Sequence, residues 1–299
     1  MSQHLFKATD RKTDPDGLKT LVLFDALPAW LLGCYGGSGE TPALDALAAQ
    51  SEMFDWAFAT GDFSEADFDD WTILEAEGVS ESLTRPLDDL GWEDLFDQLE
   101  EPLVSEVAAA CVRVGRERPE SWAGSPPHEL LDALPSLAEA DRCQFELAVL
   151  LTRTFQLDCL VEQVVAEVGP CRVAARRGLL PPGLAIADPT HLDTAHQVPL
   201  IVPASSPRRR SELVSVSEQL RDEPSASELI FTTPNGASLR DREGLYVRSY
   251  DAAGEQTEQF FEKPHDRFNV RDVARERPGV VDDYAARLTR LSTQTPSPG

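Results

Sequence analysis

The stretch Lys19–Thr60, KTLVLFDALPAWLLGCYGGSGETPALDALAAQSEMFDWAFAT, decides how the rest of the chain is read. Leu21, Val22, Leu23 and Phe24 form an unbroken apolar run, the pattern of a strand covered on both faces in a parallel sheet. Asp25 stands at the C-terminal end of that strand, where open α/β sheets place their ligands. A glycine-rich turn over 33–39 follows. Thr41 is then placed to cap a helix with Pro42 at its first position. Leu44, Leu47 and Ala48 fall on one face of it. Phe54 to Ala59 read as the next strand.

Taken in order, these pieces resemble the N-terminal signature of the sulfatase family, within the alkaline phosphatase superfamily. The matching residues are Asp25, Leu32-Gly33-Cys34-Tyr35-Gly36, Thr41 to Ala48, and Phe54 with Ala57-Phe58-Ala59. The resemblance implies an α/β fold: an α/β/α sandwich with a mostly parallel central sheet and a small C-terminal antiparallel subdomain. At 299 residues the chain is shorter than typical members.

Composition narrows the partners. With 52 acidic against 27 basic residues the formal net charge is −25. Nucleic acid and anionic membrane surfaces both call for the opposite sign, so neither is expected as a partner. No run approaches the length of a membrane span, and residues 1–18 lack the apolar core of a secretion signal, so the cytoplasm is the expected compartment. The five cysteines, Cys34, Cys111, Cys143, Cys159 and Cys171, are scattered and lack metal-ligand spacing.

Residues 1–18 read as a mobile polar lead-in to a sulfatase-like domain over 19–227. Within it, 62–101 is an acidic insert in which Arg85 is the only basic residue. A helical pattern opens at Ser136 and runs to Val168, with a stripe of Leu147, Leu150, Leu151, Phe155, Leu157, Leu160, Val161, Val164 and Val165. Residues 171–175 read as a strand, and His196 to Val202 resemble the family's Val-Pro-Leu-Ile-Val strand. The region 203–227 reads as a loop with a short helix, and Arg208-Arg209-Arg210 as a short basic loop in it. Residues 228–299 form a small C-terminal subdomain. Its strands are expected at 228–233, 244–250 and 258–262, with turns at Asn235-Gly236 and Ala253-Gly254. A closing helix starts at Pro278. Phe260-Phe261-Glu262 and Asn269-Val270-Arg271 stand where the family has a Leu-Tyr-Asp-Leu strand and an Asn-Leu-Ala turn.

The resemblance also implies chemistry. Sulfatases hold a divalent cation, usually calcium, among Asp and Asn oxygens. Their nucleophile is a formylglycine made from a Cys or Ser in a C/S-x-P-x-R motif, and basic residues neutralise the sulfate. Here Asp25 stands at the first metal position, beside Ala26 where many members carry a second ligand. The nucleophile position falls on Ser64, in Ser64-Glu65-Ala66-Asp67, which has neither the Pro nor the Arg. Where the family has Asp-His-Gly, this chain has Arg176-Arg177-Gly178. An anion approaching Ser64 would face Asp62, Glu65, Asp67, Asp69 and Asp70. One like-charge pair at roughly 5 Å and an effective dielectric near 20 costs about 3 kcal/mol.

Each feature has two readings. Asp25 is either a metal ligand or a carboxylate paired with Arg176 or Arg177. Ser64 is either a nucleophile or an exposed loop serine. The 62–70 carboxylates are either a calcium site without the usual loop pattern or a solvated loop. His191 and His196 are not at helical ligand spacing, and Cys34 reads as packing. The expectation is a sulfatase-like protein that has lost catalysis and binds or regulates, with a protein as its possible partner and no cofactor. The alternative is a metal-dependent sulfuric or phosphoric ester hydrolase using Asp25 and Ser64. It would take calcium or another divalent cation and a small-molecule ester. A third possibility makes 62–101 a protein-docking surface.

Overall fold

A computed structural model describes residues 6–8, 19–60, 71–76, 139–184, 188–221, 223 and 228–292. Apolar content concentrates in strands flanking the first signature, and these build a seven-stranded sheet. In chain order its strands are β1 (Phe6–Ala8), β2 (Thr20–Phe24), β3 (Ser51–Phe58), β4 (Thr72–Ala76), β5 (Arg172–Ala175), β6 (Leu200–Pro203) and β7 (Arg208–Ser215). Across the sheet they lie β1-β4-β2-β5-β6-β3-β7. The pairs β2–β4, β2–β5 and β3–β7 are parallel, whereas β1 and β6 run against their neighbours.

Strand β2 lies inside the sheet, between β4 and β5, because Leu21, Val22, Leu23 and Phe24 can be buried on both faces, and none is more than 1% exposed. The turn after it is two short 3₁₀ segments, Ala29–Leu31 and Gly33–Tyr35. The Tyr35 hydroxyl fastens that turn to β6: it donates to the Leu200 carbonyl at 3.1 Å and accepts from the Leu200 N–H at 2.9 Å.

Helix α1 (Pro42–Ala48) begins as expected at Pro42, but Thr41 does not cap it. The cap comes from a distant residue. Asp158, on α2 (Glu139–Val168), accepts from the N–H groups of Leu44 at 2.7 Å and Ala43 at 3.0 Å. A carboxylate there satisfies two orphan donors and meets the positive end of the helix. Thr41 instead accepts from the Gly33 N–H and donates to Asp45. Along α2 the buried face runs through Leu150, Thr154, Leu157, Asp158, Val161 and Val164. Phe155 points outward, 43% exposed, because the inward stripe takes a threonine and an aspartate that hydrophobicity alone would put outside.

Three further differences have physical reasons. Phe6–Ala8, within the lead-in read as mobile, pair antiparallel with β4, which otherwise ends the sheet with unpaired backbone groups. Strand β4 lies inside the acidic insert, where Thr72, Ile73 and Leu74 are β-formers between carboxylates. Arg208-Arg209-Arg210 is the start of edge strand β7 rather than a loop, and its guanidinium groups pair with Glu52 and Asp55 on β3. The remainder of the insert, with Arg85, lies outside the described residues.

After α3 (Leu192–His196) and α4 (Val216–Leu220), the chain enters a separate antiparallel meander. It comprises β8 (Leu229–Thr233), β9 (Gly236–Arg240), β10 (Gly244–Tyr250) and β11 (Gln256–Glu262). Strand β9 was not expected, since Ser238 and Arg240 are buried in it and break the apolar alternation. Helix α5 (Pro278–Ser292) packs Val281, Tyr284 and Leu288 against Leu239, Tyr246 and Phe260. No described helix is long and apolar enough to cross a membrane.

Candidate functional site

Because β2, β4 and β5 run parallel, their C-terminal ends come out at one edge. That edge carries Asp25, Glu75 and the Arg176-Arg177 pair. The chain segments after β2 and β5 are zipped together there. The Arg176 N–H donates to the Phe24 carbonyl at 2.9 Å, and the Leu27 N–H to the Arg177 carbonyl at 3.0 Å. Trp30 Nε1 donates to the Leu179 carbonyl at 2.7 Å, extending the seam.

The two arginines diverge on this frame. Arg177 Nη2 donates to Asp25 Oδ2 at 2.8 Å, with the side chains 42% and 51% exposed. Arg176 turns to the other neighbour and pairs with Glu75, one residue short of the end of β4. Ala26, the next residue after Asp25, is fully buried in the core. The edge continues at Gly178, where a Cβ would lie 2.3 Å from the Gln197 carbonyl oxygen, so only glycine lets the two segments touch. Gln197 in turn donates through Nε2 to the Asp55 carbonyl, and the Ala59 N–H donates to the His196 carbonyl. At the end of β3, Thr60 donates to Ser215 at 3.0 Å, and Ser215 lies 3.2 Å from Ser217.

The structure therefore brings Asp25 and Arg177 together, and places Arg176 beside Glu75. Ser64 and the carboxylates around it lie outside the described residues. The Ala26 side chain offers no oxygen, and a guanidinium stands on Oδ2 of Asp25. Among the described residues, no three His, Cys, Asp or Glu side chains come close enough to hold one.

The other marked residues fall elsewhere. His196 ends α3 and stacks on Phe231, with ring centroids 5.2 Å apart. The Cys34 N–H donates to Asp45 Oδ1 at 2.6 Å. Burial, and after it the Asp45 charge, push the Cys34 thiol up to about 12, so it stays protonated.

A buried network was missed altogether. Asp193 on α3, only 4% exposed in its side chain, lies 3.4 Å from Lys263 Nζ and 3.5 Å from Arg240 Nε. Asn269 donates to it at 2.8 Å through Nδ2. Lys263 also donates to the Asp266 carbonyl at 2.6 Å. Burial draws both cations below their ordinary values, and the Asp193 charge opposes this. The network joins α3, whose end forms part of the site edge, to the antiparallel subdomain. Asn269 carried a signal, since it stands where the resemblance places an Asn-Leu-Ala turn, and it adopts the left-handed φ of 58° that asparagine tolerates.

No protein-family model matches the chain, and neither does any curated protein. Solved structures do match. One is the phosphonate monoester hydrolase of Agrobacterium radiobacter, 11% identical, with a TM-score of 0.51 over 92% of this chain and 96% of that one. A 2-O GAG sulfatase is 14% identical, with a TM-score of 0.53 over 93% and 92%. A protein solved with its substrate D-glucosamine-2-N,6-O-disulfate is 9% identical, with a TM-score of 0.60 over 93% and 98%. The architecture is thus similar to that of solved sulfatases and a phosphonate monoester hydrolase. Identities this low establish the shared fold and leave the chemistry to this chain's own residues.

Proposed function

We propose that this is a sulfatase-like protein that no longer hydrolyses an ester and acts by binding, with a protein as its partner. The observation that supports this most is the Arg177–Asp25 pair, a guanidinium standing where the resemblance implies a divalent cation. Arg176 on Glu75 and the buried Ala26 point the same way, because both remove ligands that a hard cation would need. A guanidinium does not coordinate an ester oxygen or a water as a Lewis-acidic metal does.

The test is turnover of 4-nitrophenyl sulfate and 4-nitrophenyl phosphate with calcium present. The expected result is a rate equal to that of the Asp25→Ala variant. A rate that Asp25→Ala abolishes would overturn the reading.

One observation favours an alternative. Both arginine pairs are about one-third to one-half exposed, and exposed pairs contribute only about 0–1 kcal/mol. Displacement of Arg177 by a metal is therefore not costly in itself. On that reading Asp25 holds the ion and Ser64 attacks the ester. Elemental analysis of the purified protein would then find a bound divalent ion.

A further inference from the structure

A concave region lies away from Asp25, at the opposite ends of the strands. Strands β3 and β7 run in the same direction as β2, so their first residues are far from its C-terminal end. There, between the end of α1 and the starts of β3 and β7, is an open cavity of about 470 Å³. That is within the range of small-molecule sites.

Its lining has three chemical parts. Ala48, Ala49 and Met53 give an apolar floor. Asp45 is a second part of the lining, fixed by the Cys34 N–H and the Thr41 hydroxyl, both on Oδ1. Its other oxygen lies over Gly33, where a Cβ would come within 2.5 Å of it. Arg208 and Arg209 are the third. Each already has one carboxylate partner, Glu52 or Asp55, yet their side chains are 58% and 55% exposed. A guanidinium presents several donors in a rigid fork, so a second carboxylate can be received beside the first.

Ser51 adds an independent observation. It lines the same cavity, is only 1% exposed, and its hydroxyl has no hydrogen-bond partner among the described residues. Buried polar groups are ordinarily satisfied, and one left over calls for explanation.

We infer that this cavity binds a small zwitterion of the free α-amino-acid class. Its ammonium group would face Asp45, its carboxylate would face Arg209 and Arg208, and a short apolar side chain would rest on Met53, Ala48 and Ala49. The presence of both signs in one lining decides the class. Asp45 disfavours a simple anion, and Arg208 and Arg209 offer a carboxylate donors that a simple cation cannot use. The Cys34 thiol, held protonated, serves as part of the wall and not as a nucleophile.

The experiment is isothermal titration of the full chain with each standard L-α-amino acid. The best binder is followed by its decarboxylated amine and its deaminated acid. A saturable heat is expected for at least one apolar amino acid, with each one-charge analogue at least about tenfold weaker. Arg209→Ala is expected to weaken binding by a similar factor while its melting temperature stays near that of the parent. Should that variant melt early, Arg208→Ala gives the same reading. No saturable heat with any amino acid, analogues that bind as well as the parent compound, or a well-folded arginine variant with undiminished affinity would each overturn the proposal.

Discussion

Two regions of this molecule hold acid–base pairs, and they differ in solvent. At the edge beside β2, Asp25–Arg177 and Glu75–Arg176 are half-exposed single pairs on strand ends. At the joint between the two sheets, Asp193, Arg240 and Lys263 are at least 96% buried in their side chains and share Asn269 and backbone carbonyls. Water screens the first set and leaves it exchangeable. The second set has no such relief, so removal of one member strands a charge. The comparison sets a buried set at the joint between the sheets against an exposed set at the proposed site.

That contrast predicts unequal costs. Asp193→Ala is expected to destabilise by about 3–5 kcal/mol, the range for breaking a buried pair, measured as a drop in the urea midpoint. A loss under about 1 kcal/mol would remove the distinction between the two regions.

A smaller effect comes from a third carboxylate, Asp241. Burial opposes its ionisation, but hydrogen bonds from Tyr284, Arg287 and the N–H groups of Glu243 and Gly244 outweigh this and hold it below its ordinary 3.8. A carboxyl lowered by folding contributes stability that is fully present above its unfolded value and is lost as pH falls through its folded one. Asp241→Asn should therefore flatten the decline of the urea midpoint with acid below about pH 4. An unchanged slope would show that Asp241 carries none of it.

The smallest effect belongs to the site edge. Arg177→Ala is expected to change stability by no more than about 1 kcal/mol, since the pair it breaks is about half exposed. A loss several times larger would place Arg177 with the architectural set.

The parts of this contrast were unequally legible in the sequence. The core strand, the glycine-rich turn and the start of α1 were read from Leu21–Phe24 and Pro42, where local pattern and tertiary burial agree. The pairing of Asp25 with one of two arginines was expected because both stand where the resemblance places an Asp-His pair beside the metal. Which arginine it would be was not legible, because Glu75 competes for Arg176 and its strand was concealed in an acidic stretch. The buried network was invisible to hydrophobic pattern. Ser238 and Arg240 mask β9, and Asp193 and Lys263 look like surface residues until the fold encloses them. The cap that Asp158 gives α1 failed to show for a related reason: 114 positions separate it from Leu44, so no local motif records it.

The site account rests on Arg177 standing where a cation would otherwise be. Calcium titration of the parent protein and of Asp25→Ala, followed calorimetrically, addresses it most directly. The account predicts the same heat for both proteins, with no saturable site that depends on Asp25. One equivalent of calcium bound by the parent and lost in Asp25→Ala would contradict it.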